Sequence, residues 1–213
     1  INQNVKEVVL DKLHDIIEDI ENPDLNIAYD VKLASEDSRK ITFKNQIDCV
    51  ITSPPYLNGT NYIRNTKLEL KLLGFINDES DLPILHGKGI IAGINSVSSR
   101  NGVIDVLECV KPYVDQLQPI AYDKRIPLMV AGYFRDMQVV LERLSVALKS
   151  DGKFIMDIGD SQFSGVHIPT HEILETIARG YGFEKYDEEI LRTRRSKNGT
   201  QLSQRVLRFE IRK

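Results

Sequence analysis

Ile47-Asp48-Cys49-Val50-Ile51-Thr52-Ser53-Pro54-Pro55-Tyr56 is the stretch on which the fold turns. Its first six residues form a short, mostly apolar run, as expected of a strand buried in a parallel sheet. Two prolines then fix φ twice and withhold two backbone N–H groups, so the chain must leave the sheet along a rigid path. The carbonyls of Ser53 and Pro54 face outward with no local donor. Ser53 adds a hydroxyl and Tyr56 an aromatic face. The spacing predicts a small, acceptor-rich pocket with a stacking plate at the carboxyl end of a strand, where open α/β sheets bind ligands.

Outward from this turn, helices and strands alternate. Towards the amino end, Val5, Val8, Val9, Leu13, Ile16, Ile17 and Ile20 share one helical stripe, ended by Asn22-Pro23. Tyr29 to Leu33 alternates with period two, as a half-buried strand does. Towards the carboxyl end, Tyr62 to Phe75 has the leucines of a helix. Residues 76–132 are broken by prolines and glycines and read as an insertion, with helices within Gly102 to Tyr113 and around Met129. Tyr133 to Lys149 predicts a helix, Lys153 to Ile158 a strand, and Thr170 the cap of a helix over His171 to Arg179. Phe183 to Arg192 and Leu202 to Ile211 predict a hairpin around Lys197-Asn198-Gly199. This order argues for a parallel α/β sheet finished by an antiparallel pair. It divides the chain into a first part (1–75), the insertion (76–132) and a second part (133–213).

Composition narrows the function. The 213 residues carry 28 Lys and Arg against 31 Asp and Glu, which excludes a generally basic coat but not a local basic patch. Residues 192–213 are such a patch, with eight basic side chains against Glu210 alone. A phosphate-binding face is expected there, with Arg194, Arg195 and Lys197 at the turn as the contacts. Cys49 and Cys109, far apart and flanked by apolar residues, read as two small buried thiols in a reducing compartment, neither disulfide nor metal ligands. No apolar run is long enough for a membrane span, and a cytoplasmic location is expected.

An exocyclic amino group on a nucleobase suits the turn at Ser53: it has two N–H donors to be held and a planar ring to be stacked. Accepting hydrogen bonds from both would help the nitrogen present its lone pair to an electrophile. Here the sequence resembles the S-adenosylmethionine-dependent amino-methyltransferases of DNA, which act at cytosine N4 or adenine N6. Their fourth motif is Asp/Asn/Ser-Pro-Pro-Tyr/Phe/Trp, present as Ser53-Pro54-Pro55-Tyr56. The serine-headed form tilts the choice towards cytosine N4. Leu57-Asn58-Gly59-Thr60-Asn61-Tyr62, Asp157-Ile158-Gly159-Asp160-Ser161 and His167-Ile168-Pro169-Thr170 carry the likeness onward.

The resemblance implies that Ser53 and the Pro54 carbonyl hold the target amino group, that Pro55 keeps the turn rigid, and that Tyr56 stacks on a flipped-out base. It implies that Asp37 or Ser38 contacts the adenine of the cofactor. No general base is needed, because a sulfonium methyl is already activated and positioning does most of the work. An RNA amino-methyltransferase and a non-catalytic DNA-binding subunit remain the alternatives. The resemblance further implies a Rossmann-like sheet of order 3-2-1-4-5-7-6. Tyr29 to Leu33 would be its third strand and Ile47 to Thr52 its fourth, with strands 1 and 2 and the glycine-rich cofactor loop absent. An N-terminal segment or a second subunit would then have to supply them.

Overall fold

The computed structural model describes residues 4–22, 31–57, 62–98, 105–196 and 198–212, and the chain divides into two units, 1–34 and 35–213. In the first unit, α1 (Val5–Glu21) begins at Asn4, whose side-chain oxygen accepts from the Lys6 N–H at 3.2 Å. The helix is as expected, with no buried residue. Of the expected strand, Tyr29 and Asp30 lie outside the described residues, and Val31 to Leu33 is not a strand. Val31 and Leu33 are 89% and 82% exposed. Alternation alone cannot hold a strand that has no neighbour to pair with.

The second unit contains, in chain order, α2 (Tyr62–Asn65), α3 (Lys67–Leu72), α4 (Leu82–Lys88), α5 (Ile94–Ser98), α6 (Lys111–Leu117), α7 (Arg125–Ala147) and α8 (Thr170–Arg179). Its strands are β1 (Ile47–Thr52), β2 (Leu148–Gly159), β3 (Ser161–Phe163), β4 (Val166–Ile168), β5 (Phe183–Arg195) and β6 (Gln201–Ile211). Four of them form a mixed sheet in the order β1-β2-β6-β5. β1 and β2 run parallel, Val50 beside Phe154 and Thr52 beside Met156, while β6 is antiparallel to both β2 and β5. The short strands β3 and β4 pair separately through Ser164 and Gly165, both at positive φ, a two-residue hairpin the sequence reading missed.

One face of the sheet is the core. Phe154, Met156, Ile158, Phe183, Leu207, Phe209 and Ile211 are buried there with α7 and α8. The rings of Phe154 and Phe209 stack 5.6 Å apart. The other face is polar where β2, β6 and β5 meet: Lys153 pairs with Glu210, and Arg208 with Asp187 and Glu189.

Several expectations need correction. The 76–132 stretch is not loose: Ile91, Val97, Val110, Val114, Leu117, Ile126 and Met129 join the same core as the sheet. Its Pro83 and Pro112 sit in the first turns of α4 and α6, where a missing N–H costs no helix hydrogen bond. The same reason lets α7 start at Arg125 and run through Pro127, well before Tyr133. Second, Tyr62 to Phe75 is two short helices, and Leu68, Leu72 and Leu73 are exposed. Third, Thr170 does not cap α8 but lies in its first turn, donating its hydroxyl to the Ile168 carbonyl at 3.3 Å. The expected helices within Gly102 to Tyr113 reduce to α6, residues 102–104 lying outside the described residues. The cysteines are free, but Cys49 is exposed and Cys109 only partly covered.

Candidate active site

β1 delivers the chain to the turn at its carboxyl end, as the two prolines require. Ser53 is exposed, Pro54 buried, and Pro55 and Tyr56 half-buried. The next residue, Leu57, is fully buried, and its carbonyl accepts from the Ser161 hydroxyl, which fastens the turn to the start of β3. Tyr56 is held at three points. Its N–H donates to the Tyr62 hydroxyl at 3.1 Å, and its own hydroxyl accepts from Gln204 Nε2 at 2.8 Å. Its ring lies so close to Gly159 that a Cβ there would sit 3.3 Å from Cδ2 and Cε2. Gln204 is itself oriented by Asp157, at 3.0 and 2.9 Å from the two carboxylate oxygens. Burial pushes the Tyr56 phenol pKa up, and the Asp157 carboxylate adds to it, so the hydroxyl stays neutral.

A cavity of about 130 Å³ opens beside this ring, lined by Tyr56, Gly159, Arg192, Arg194, Ser203 and Gln204. A second, of about 100 Å³, reaches the turn through Pro55 and includes Tyr62, His86, Asn95 and Ser96. Beneath the turn, Tyr133 is fully buried, and its hydroxyl has no hydrogen-bond partner among the described residues.

The floor beside the first cavity is tied together by Asp160. It is 5% exposed, and its carboxylate receives His171 Nδ1 at 2.6 Å and the Ser203 hydroxyl at 2.8 Å. Burial works to raise its pKa, but the hydrogen bonds from His171 and Ser203 outweigh it and hold the group at about 2. One carboxylate thus joins the exit of β2, the first turn of α8 and β6. The sequence puts Asp157 to Asp160 at the end of a strand, whereas nothing local marks Gln204, Ser203 or His171 as their partners.

No protein-family model matches the chain. It is 28% identical over 168 residues to the type II methyltransferase M.AvaI of Nostoc sp. (strain PCC 7120), covering 73% of this chain and 34% of that protein. It is 25% identical over 228 residues to M.BsoBI of Geobacillus stearothermophilus, covering 93% of this chain and 44% of that protein. Its sequence relatives are type II methyltransferases. The chain spans between about a third and under half of the length of these relatives. Among solved structures, it is 12% identical, with a TM-score of 0.42, to a Thermus thermophilus protein that carries the name of a DNA modification methylase and was solved with S-adenosyl-L-methionine; 83% of this chain and 54% of that one are covered.

Of the other residues expected in a methyltransferase site, Asp37 and Ser38 fall at a short 3-10 turn, Ser38–Lys40. Asp37 lines a cradle of about 570 Å³ together with Ser35, Glu36, Arg39, Lys40, Gly87 and Lys88. Its carboxylate is held by Arg39, Oδ1 to Nε at 2.9 Å and Oδ2 to a terminal guanidinium nitrogen at 3.0 Å. That bonding keeps its pKa below the usual carboxylate range. Arg39 also reaches Asp136 at 3.1 Å and the Lys88 carbonyl at 2.7 Å, and Asp136 in turn accepts from the Ile91 N–H at 2.9 Å. This knot packs the Gly87–Gly93 stretch against α7.

The basic cluster divides in two. Arg205 pairs with Glu188, Arg208 with Asp187 and Glu189, and Arg212 with Glu184. Arg192, Arg194 and Arg195 have no ion pair among the described residues. Lys197 and Lys213 lie outside the described residues. Among the described residues, no group of His, Cys, Asp and Glu could hold a metal ion, and no helix is long and apolar enough to cross a membrane.

Proposed function

We propose that this chain is the catalytic-turn part of an S-adenosyl-L-methionine-dependent DNA methyltransferase, acting on the exocyclic amino group of an extruded base, with cytosine N4 favoured over adenine N6. The observation that carries this reading is the Ser53-Pro54-Pro55-Tyr56 turn at the end of a parallel strand. Tyr56 is pinned there by Gln204 and Gly159 beside a cavity open to the Arg192 side of the hairpin. The likeness to type II methyltransferases over most of the chain supports it.

The division of labour follows from the residues. Ser53 Oγ and the Pro54 carbonyl accept hydrogen bonds from the two amino protons, so the nitrogen lone pair is aimed away from the turn. Tyr56 gives the heterocycle a flat face to stack on, at a cost of unstacking the base of a few kcal/mol. Bound S-adenosyl-L-methionine supplies a methyl group already activated on a sulfonium. The amino nitrogen held by Ser53 and Pro54 would receive that methyl as its bond to sulfur is given up, and would release a proton to water.

The chain's own residues fit only one edge of that cofactor. Asp37 Oδ2 keeps acceptor capacity beside its Arg39 bond, so it suits an adenosine edge at the cradle, whereas Ser38 is exposed and does not line it. The grip on the methionine portion falls to a segment preceding this one or to a second subunit. The short span relative to the relatives and the uncovered side of β1 support that inference.

The test is methyl transfer from labelled S-adenosyl-L-methionine to DNA by the full-length protein, with the modified nucleoside identified after digestion. N4-methylcytosine is expected, and Ser53→Ala should abolish its formation while leaving DNA binding in place. Methylation of tRNA or rRNA alone would instead establish an RNA enzyme. Full methylation by Ser53→Ala would leave the turn without a catalytic role.

A further inference from the structure

We propose that Arg192 and Arg194 form a phosphate clamp for the extruded nucleotide, engaged only once its base has left the duplex. The proposal rests on the reading of Tyr56 as the stacking plate and adds the group that holds the nucleotide's backbone. Three observations carry it. Arg192 and Arg194 are two positions apart on β5, so both side chains leave the same face of the strand, whereas Arg195 leaves the other. Both, with Tyr56, Gly159, Ser203 and Gln204, line the cavity that adjoins the ring of Tyr56. Among the described residues neither is neutralised by a carboxylate, although the arginines farther along the hairpin are.

The division of the cluster decides its use. Arg205, Arg208 and Arg212 spend their charge on Glu188, Asp187, Glu189 and Glu184 and stiffen the hairpin. Two guanidinium groups without carboxylates beside an aromatic plate have a different requirement, a bidentate anion. The plate takes a heterocycle, so the anion next to it is the phosphate attached to that nucleotide. A duplex with its base still stacked does not place this phosphate in the cavity. The clamp therefore favours the flipped state over the stacked one, rather than DNA over solvent.

The experiment uses the full-length protein and a duplex bearing the sequence that the wild-type protein is found to methylate by sequencing, with the natural target base for turnover and with 2-aminopurine in its place, on a second duplex, as the flipping reporter. For Arg192→Gln/Arg194→Gln we expect at least a ~10-fold drop in the fluorescence gain on binding and in kcat/KM. The salt slope of target binding should fall by about 0.9 for each phosphate that is no longer neutralised, with binding to unrelated duplex unchanged. Arg195→Gln should weaken both duplexes equally and leave the fluorescence gain intact. A double variant that weakens both duplexes equally, or that flips and methylates normally, overturns the clamp. Wild-type protein that methylates no DNA overturns the reading beneath it instead, so the two failures are told apart.

Discussion

The geometry around Tyr56 is unusually demanding of one glycine. Gly159 has an ordinary φ, so its role is space: a methyl group there meets the ring at 3.3 Å, while Gln204 holds the hydroxyl at the far end. Gly159→Ala should therefore displace the ring, which on the proposed function carries the base, by a few tenths of an ångström. Near-attack geometry tolerates little displacement, and a loss of about 10-fold in kcat is expected, with unfolding midpoints close to wild type. Tyr56→Phe removes only the hydroxyl, and Gln204 keeps its two bonds to Asp157. Its kcat should fall less than about threefold, the ring plane being untouched. Steady-state methylation by the two variants checks the pair of statements; a Phe variant as impaired as the Ala variant would mean that the hydroxyl, not the ring plane, does the positioning.

At the exit of β2 the elements depend on a single carboxylate. Asp160 carries hydrogen bonds from α8 and β6 while nearly fully buried, and its pKa of about 2 lies below the roughly 3.9 of an unfolded aspartate. A group depressed on folding stabilises above its unfolded pKa and loses that contribution as pH falls through its folded one. Asp160→Asn should cost about 2 kcal/mol at pH 7, since charge-assisted bonds are replaced by weaker ones. The gap between wild type and variant should close as pH falls from about 4 to about 2. Urea midpoints for both proteins across that range measure it; a gap that persists undiminished at the acid end would remove the carboxylate's charge from the account. Such a tie was only half legible. Asp160 stands just past a clear apolar run and could be placed at a sheet's end, but Ser203 sits in a strand of unremarkable polar alternation and His171 in a helix. Only the antiparallel return of β6 along β2 brings them together. The turn itself is legible because prolines act locally, whereas the helices of the 76–132 stretch are not, because its prolines mark helix starts that spacing alone does not distinguish from loops.

For the molecule as a whole, the decisive feature is the side of β1 that faces away from β2. Among the described residues β1 pairs with β2 alone, and Ile51 is 76% exposed with Cys49 also uncovered. An apolar strand with an unpaired edge is a template for further strands, and its backbone groups stay costly to bury until they are paired. The cradle at Asp37 is likewise a rim, lined by Glu36 and Asp37 together with Arg39, Lys40 and Lys88. An adenosine edge alone gives weak binding, because most of the contacts that would offset the ligand's lost freedom are missing. Residues 1–213 alone should therefore bind S-adenosyl-L-methionine more weakly than about 1 mM, which corresponds to roughly −4 kcal/mol. On the proposal above, the chain together with the segment or subunit that supplies the grip on the methionine portion should bind it at micromolar levels. Isothermal titration of both reads the difference directly, and micromolar binding by residues 1–213 would show that the cradle is sufficient and that the uncovered side of β1 serves something other than the cofactor.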